Sequence, residues 1–426
     1  SLPLFTYSLT VAHSLLFMSL DFQQLTQPIS EMAENASGLL MVQQQSLDEL
    51  LSFFAEHATE WESFERVRRF IEQNILQATQ ARPFRGIAIP FKQNGLPLNQ
   101  PLPLAAKHLP DIATIVAVDG SQIVPDRHGA FIYYLINTGG IAYHHGQRRA
   151  PDTFSDAELF FPLLDDKKSD LFASATEVGV KRDIAEINRL AEKSLEHRSG
   201  AGPVLAIMDQ RLLYVPIGDI PPQVKRDIIQ QWQAGMEKVE ASGGVLVGFI
   251  DRPGKSRVVT MLRALHPDWS PQEVNDLGDW EGLTDAMLFS QLLGPGERSP
   301  LFVDLSHANH RFKQESPNNE ICFFFLNSSQ KEDQPNIVRV DLPLWVAQNR
   351  ETVGMIHALL YDQCTILGGN PYVIARAHEE AVVSRRDQQE LEFRIAKRFE
   401  ALGIYQEESL KERYKQMTVT PKQSFN

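Results

Sequence analysis

The chain has 426 residues, 43% of them hydrophobic and 22% charged, with a formal net charge of −13 and two cysteines. That length holds two or three average domains or one elaborated α/β domain, and no apolar run approaches the roughly 18 residues of a membrane span. The acidic balance excludes a protein that coats nucleic acid through its overall field, but it suits clustered carboxylates neutralised by metal ions and leaves room for a local basic groove.

Residues 1–17 read as an upstream extension, because they lack a basic leader and Met18-Ser-Leu-Asp looks like a natural start. Residues 18–111 form a helical arm and a connector. Within 42–80, Leu47, Leu50, Leu51, Phe54, Trp61, Phe64, Val67, Phe70 and Ile71 recur at helical spacing. This predicts an amphipathic helix or helical pair, with Ser46 and Glu49 as a capping box. Such an element suits an arm, an oligomer contact or a cover over a sheet. Residues 82–111 are Pro-rich and read as irregular.

The main domain is expected over 112–385. Ile112 to Val118 predict a strand buried on both faces, ending on Asp119, with Gly120 turning the chain sharply. Phe131 to Asn137, Gly139-Gly140 and Ile141 to Tyr143 read as a meander that turns at the glycines. A polar helix over 174–198 runs into Gly200 and Gly202. A second buried strand then ends on Asp209. After a helix over 222–241, a third runs from Val245 to Ile250 and leads into Asp251-Arg-Pro-Gly-Lys-Ser. A helix near 257–265 follows, with further strands at 301–304, 321–326 and 337–342. Cys322 and Cys364 lie in apolar segments, as buried thiols of a reducing, cytoplasmic compartment do, and they are too few for a disulfide framework or a four-cysteine zinc site. Helices over 343–361 and from Tyr372 to Leu402 close the fold, and 386–426 is a terminal helix with a polar tail. Strands alternating with helices after a meander predict an α/β fold: a mixed sheet flanked by helices, in the order of the RNase H-like fold.

Asp119 and Asp209 occupy the same place on two buried strands. If those strands are parallel neighbours, the carboxylates meet at one sheet edge, where they repel or recruit a cation. A lone Asp after a strand also serves as a turn former or helix cap. Hard oxygen ligands suit Mg²⁺ or Mn²⁺, and a pair of such ions is the usual clamp for in-line attack on a phosphodiester. Glu177, Glu186, Glu192 and Glu196 of the 174–198 helix are candidates for a third ligand, although Glu on such a helix often just faces solvent. His378, flanked by alanines, is either a satisfied core residue or an imidazole ligand of the kind Mn²⁺ accepts.

Five segments in succession are Val-Ala-Val-Asp119-Gly-Ser, Ala-Ile-Met-Asp209, Gly248-Phe-Ile-Asp-Arg-Pro-Gly-Lys255-Ser, Val338-Arg-Val-Asp-Leu-Pro and Tyr372-Val-Ile-Ala-Arg-Ala-His378. Over about 113–385 this order resembles the NurA nucleases of DNA end processing. The resemblance implies an RNase H-like fold, Mn²⁺-dependent 5′→3′ exonuclease and endonuclease activity, and a homodimer that works with the hexameric ATPase HerA. It implies Asp119 and Asp209 as the two catalytic Asp, His378 as the late His, and Tyr372 as the Tyr preceding it. The family's intermediate Glu falls on Glu186, four after Arg182, with Glu192 in reserve. The expected site uses two Mn²⁺, with Mg²⁺ as an alternative, bridged by Asp119 and completed by Glu186, Asp209 and His378. One departure stands out: Asp209 is followed by Gln-Arg-Leu where the family commonly has Gly-Ser or Gly-Pro.

Arg252, Lys255 and Arg257 form a basic cluster suited to backbone phosphates of DNA, or a solvated loop. The same stretch imitates a phosphate-cradling loop, with 301–304 as a second NTPase strand. Five residues separate Gly248 from Gly254 where that motif needs four, and Pro253 removes an amide the cradle would use. A non-catalytic RNase H-like scaffold binding HerA or DNA is the other alternative.

Overall fold

A computed structural model describes residues 22–76, 86–91, 96–126, 131–161, 174–200, 202–218, 220–266 and 280–404. The expected extension at 1–17 and most of the polar tail lie outside them. In chain order the elements are α1 (Thr26–His57), α2 (Trp61–Asn74), β1 (Ile87–Pro90), β2 (Ala113–Ile123), β3 (Tyr134–His145), β4 (Asp152–Phe160), α3 (Ala175–Glu196), β5 (Val204–Met208) and α4 (Pro222–Ala241). They continue with β6 (Gly244–Ile250), α5 (Arg257–Arg263), α6 (Asp285–Ser290), β7 (Phe302–Leu305), α7 (His307–Glu315), β8 (Ile321–Asn327) and β9 (Ile337–Pro343). Four helices end the described chain: α8 (Leu344–Ala347), α9 (Arg350–Leu367), α10 (Tyr372–Ala381) and α11 (Arg385–Ala401).

The strands form one sheet in the order β1-β7-β8-β9-β6-β5-β2-β3-β4. Its heart is the antiparallel meander β2-β3-β4, with β5 parallel to β2 and β6 parallel to β5. This is the RNase H-like order, and β9, β8, β7 and β1 extend it by antiparallel pairing. Near-continuous apolar runs make β2, β5, β8 and β9 buried on both faces. One core lies under α10, α9 and α2, and the other under α3 and α4.

Several local expectations fail, each for a visible reason. Gly120 does not turn the chain: β2 runs on to Ile123 because β3 is long enough to keep pairing with it. Nor do Gly139 and Gly140 form a turn. They lie inside β3, where a Cβ would strike the backbone of Glu380 and Ala381 or the ring of Phe154, and the reversal falls at Gly146 (φ +71°). Ser46 is no cap, since α1 passes through it unbroken from Thr26. The connector contains β1, which pairs with β7. The last long helix is two, because the Ser384 side chain accepts from Asp387 N and starts α11 with a capping box.

Burial also sets a pH dependence. His357 of α9 is 2% exposed, with Nε2 2.7 Å from the Gly296 carbonyl, and burial pulls its pKa from 6.5 down to about 4. A His with a depressed folded pKa favours folding above its unfolded pKa, and that contribution is lost as pH falls from about 6.5 to about 4. Urea unfolding of wild type and His357→Gln across this window should show wild type losing on the order of 3 kcal/mol more than the variant. Parallel pH profiles would mean His357 is not protonated against a buried penalty.

Candidate active site

The parallel register places Val118 opposite Met208, so Asp119 and Asp209 come next on neighbouring chain segments, whose strands lie about 5 Å apart. Side chains alternate faces along a strand. Ile115, Ala117, Leu205 and Ile207 point into the core under α10, whereas Val116, Val118, Ala206 and Met208 point into the core under α3 and α4. Both carboxylates therefore continue the α10 face.

Two devices bring α10 down onto that face. Gly139, opposite Asp119 on β3, leaves room for the helix: a Cβ there would stand 2.3–2.4 Å from the backbone of Glu380 and Ala381. The helix end is then tied down. The Ala381 carbonyl accepts from Ser121 Oγ at 2.5 Å and from Asn137 Nδ2 at 2.8 Å, while Val383 N donates to Ser121 Oγ at 3.0 Å. As a result His378 Nδ1 stands 2.7 Å from Asp119 Oδ2. Its side chain is 67% exposed, so it is not a core histidine. Asp119 Oδ1 accepts from Gly120 N at 2.7 Å.

Glu186 arrives from the other face, and Gly120 is what admits it. A Cβ on Gly120 would lie 2.5 Å from Glu186 Oε1. Glu186 is buried, 3.1 Å from Arg182 Nε, and accepts from Gln210 Nε2 at 3.3 Å. The other three candidates are engaged at the surface: Glu177 in the capping box of α3, Glu192 with Arg189, Glu196 with Lys193. Of the four, Glu186 is the one buried and placed against Gly120.

Burial pushes the Glu186 carboxyl well above the ordinary range; Arg182 opposes this, and Asp183, Asp119 and Asp209 add repulsion. Asp209 rises to about 6 through loss of water around it, then through Asp119, with His378 pulling the other way and Asp251 adding repulsion. Asp209 keeps an open surface, so solvent screening softens that shift. The Asp251 contribution was legible in the sequence, since it ends a third buried strand as Asp119 and Asp209 end the first two. Ser121, Asn137 and Gln210 carried no such signal, because their value comes from what lies across the sheet.

Such mutual repulsion is what a divalent cation relieves, and three carboxylates with an imidazole are donors that Mn²⁺ accepts. The side chains are not closed around an ion: among the described residues no three His, Cys, Asp or Glu stand as a ready metal cage. The geometry explains this, with His378 and Asp119 bonded to each other on one face and Glu186 held by Arg182 on the other.

Tyr372 and the basic cluster are not brought to this point. The Tyr372 ring sits edge-on to Tyr143, whose β2 partner is Ile115, four positions before Asp119. Arg257 is turned inward, 13% exposed and 3.5 Å from the buried Asp304. Arg252 is 89% exposed at φ +48°, and Lys255 is exposed beside it. The phosphate-loop alternative fails here on structure. Asp285 accepts from the backbone N–H groups of Arg257, Val258 and Val259, filling the helix end a phosphate would need.

A search of curated protein sequences finds no match. Among solved structures, the NurA nuclease from Sulfolobus solfataricus is similar at 12% identity and a TM-score of 0.44, covering 82% of this chain and 97% of that one. The catalytic domain of human Endonuclease V aligns at 11% identity and a TM-score of 0.31 over 71% of this chain and 91% of that one. Argonaute of A. aeolicus aligns at 13% and 0.28, over 64% and 29%. At such scores these likenesses carry no argument. The NurA domain model matches residues 113–383, from the start of β2 to just past α10. That match spans more than half of the sequence, and the chain belongs to the NurA family.

Proposed function

We propose that this protein is a metal-dependent DNA nuclease that hydrolyses phosphodiesters at DNA ends, as 5′→3′ exonuclease and endonuclease, in double-strand break processing. One observation carries the reading. Asp119 and Asp209 each follow the last paired position of the parallel β2–β5 ladder, with His378 bonded to Asp119 and Glu186 pressed against Gly120. A structural scaffold gains nothing from such mutually repelling carboxylates.

Asp119, Asp209 and His378 would hold the metal from one face, and Glu186 from the other after releasing Arg182. Two Mn²⁺ or Mg²⁺ ions, when bound, supply Lewis acidity for in-line attack of water on phosphorus. The chain's own part is positioning. Gly120 N holds Asp119, and the Ser121 and Asn137 anchors hold α10. Exposed Arg252, with Asp251 at 3.6 Å, and exposed Lys255 would meet backbone phosphates. Family membership supports a HerA-type hexameric ATPase as partner and a homodimer. Ile29, Met32, Leu40 and Met41, uncovered along α1, and Phe22 just before it suit a subunit contact. Among the described residues no helix is long and apolar enough to cross a membrane.

The test uses 5′-labelled single- and double-stranded DNA with Mn²⁺, Mg²⁺ or EDTA, with and without HerA and ATP. Cleavage should need the metal. In parallel, Mn²⁺ should raise the melting temperature of wild type and not of an Asp119→Ala, Asp209→Ala double variant. No cleavage under any condition, with no metal-dependent stabilisation, would leave the scaffold reading standing in its place.

A further inference from the structure

Four strands away from Asp209, roughly 19 Å across the sheet, a cavity of about 850 Å³ lies between β7, α2 and the first turn of α9. Its size is that of a small-molecule site. Leu301, Val303 and Leu305 line it with apolar surface. Five cationic side chains, Arg68, Lys107, Arg298, Lys313 and Arg350, meet three carboxylates there, in a protein whose net charge is −13.

Two of those carboxylates are already engaged: Glu320 pairs with Lys313 at 3.1 Å, and Glu351 lies 3.6 Å from His108. Arg298 has no carboxylate partner among the described residues. Its Nη1 donates to the Ser299 carbonyl, its guanidinium lies 5.4 Å from the Phe324 ring centre, and its buried Nε has no hydrogen-bond partner. The buried Nε of Arg68 is also without a hydrogen bond, with Glu65 at 3.6 Å and Nη2 donating to the Pro90 carbonyl. Burial, and then repulsion from Arg350, push the Arg298 pKa down to about 10. A guanidinium held without a counter-charge beside a second one is a cost that an anion in the cavity removes.

We propose that this cavity binds a nucleoside monophosphate, its phosphate against Arg298 and Arg350 and its base against Leu301, Val303 and Leu305. The phosphate supplies the bidentate acceptor that guanidinium groups match best, and the apolar wall gives the base a surface that inorganic phosphate cannot use. The site is separate from the Asp119 cluster and does not rest on the nuclease reading.

The test is isothermal titration calorimetry of the full chain in EDTA with deoxyadenosine monophosphate, inorganic phosphate and deoxyadenosine. The monophosphate should bind best, and Arg298→Met should weaken it roughly tenfold or more. Should Arg298→Met fail to fold, Arg350→Ala at an exposed position should give the same loss, while Asp119→Asn should bind as wild type does. Absence of binding to wild type, or unchanged affinity in the Arg298 and Arg350 variants, would overturn the proposal. So would phosphate binding as tightly as the nucleotide, or loss of binding in Asp119→Asn.

Discussion

Asp119→Asn is expected to abolish phosphodiester cleavage while leaving the fold as stable as wild type or more so. The amide keeps an oxygen for Gly120 N and a contact for His378, so the local hydrogen bonds survive. What it removes is a negative charge that raises both Glu186 and Asp209. A cluster of repelling carboxylates is destabilising unless a cation joins it, so neutralising one member relieves strain in the metal-free protein. The rate should fall on the order of 10³-fold or more, the scale set by removal of one essential charged group. Single-turnover cleavage of labelled DNA and thermal unfolding in EDTA measure the two halves. A variant that cleaves at the wild-type rate would remove Asp119 from the reaction. A variant that melts well below wild type would make it a structural residue.

Gly139→Val should show the opposite pairing, with stability and activity lost together. The added Cβ falls within 2.4 Å of the backbone of Glu380 and Ala381, which cannot yield as a flexible side chain would. Helix α10 must lift away, stretching the bonds from Ser121 and Asn137 to the Ala381 carbonyl. Overpacking of this kind costs about 3 kcal/mol, and a displacement of about 1 Å at a catalytic group costs on the order of 10²-fold in rate. Gly179→Ala is the control. A Cβ there meets nothing nearer than Gln122 Nε2 at 3.9 Å, and alanine is the better residue inside a helix. Chemical denaturation of both variants, with cleavage assays alongside, decides the matter. Full activity in Gly139→Val would show that the contact of α10 with β3 does not position His378.

Much of this architecture is legible in the sequence. Buried strands at 204–208 and 244–250, the helix over 222–241 and the paired strands β8 and β9 announce themselves because long apolar or amphipathic runs override neighbouring influences. The repeated pattern of a buried strand ending on Asp marked Asp119 and Asp209 for the same reason. The family likeness then pointed to His378 and, among four glutamates, to Glu186, the one that the fold buries.

What the chain could not declare by itself is the meaning of its glycines and the fate of its charges. Gly120 and Gly139 look like turns in a one-dimensional string. In space each is a gap through which Glu186 or α10 reaches the edge of the sheet, and close approach between elements distant in sequence leaves no local pattern. Arg252, Lys255 and Arg257 looked alike, yet Arg257 is turned inward against Asp304 while its helix end is filled by an Asp 28 residues later. Composition and periodicity decided the strands and helices of this protein, since those depend on neighbours along the chain. Only packing across the sheet decided which polar side chains face one another, because Coulomb forces and desolvation depend on distance in space.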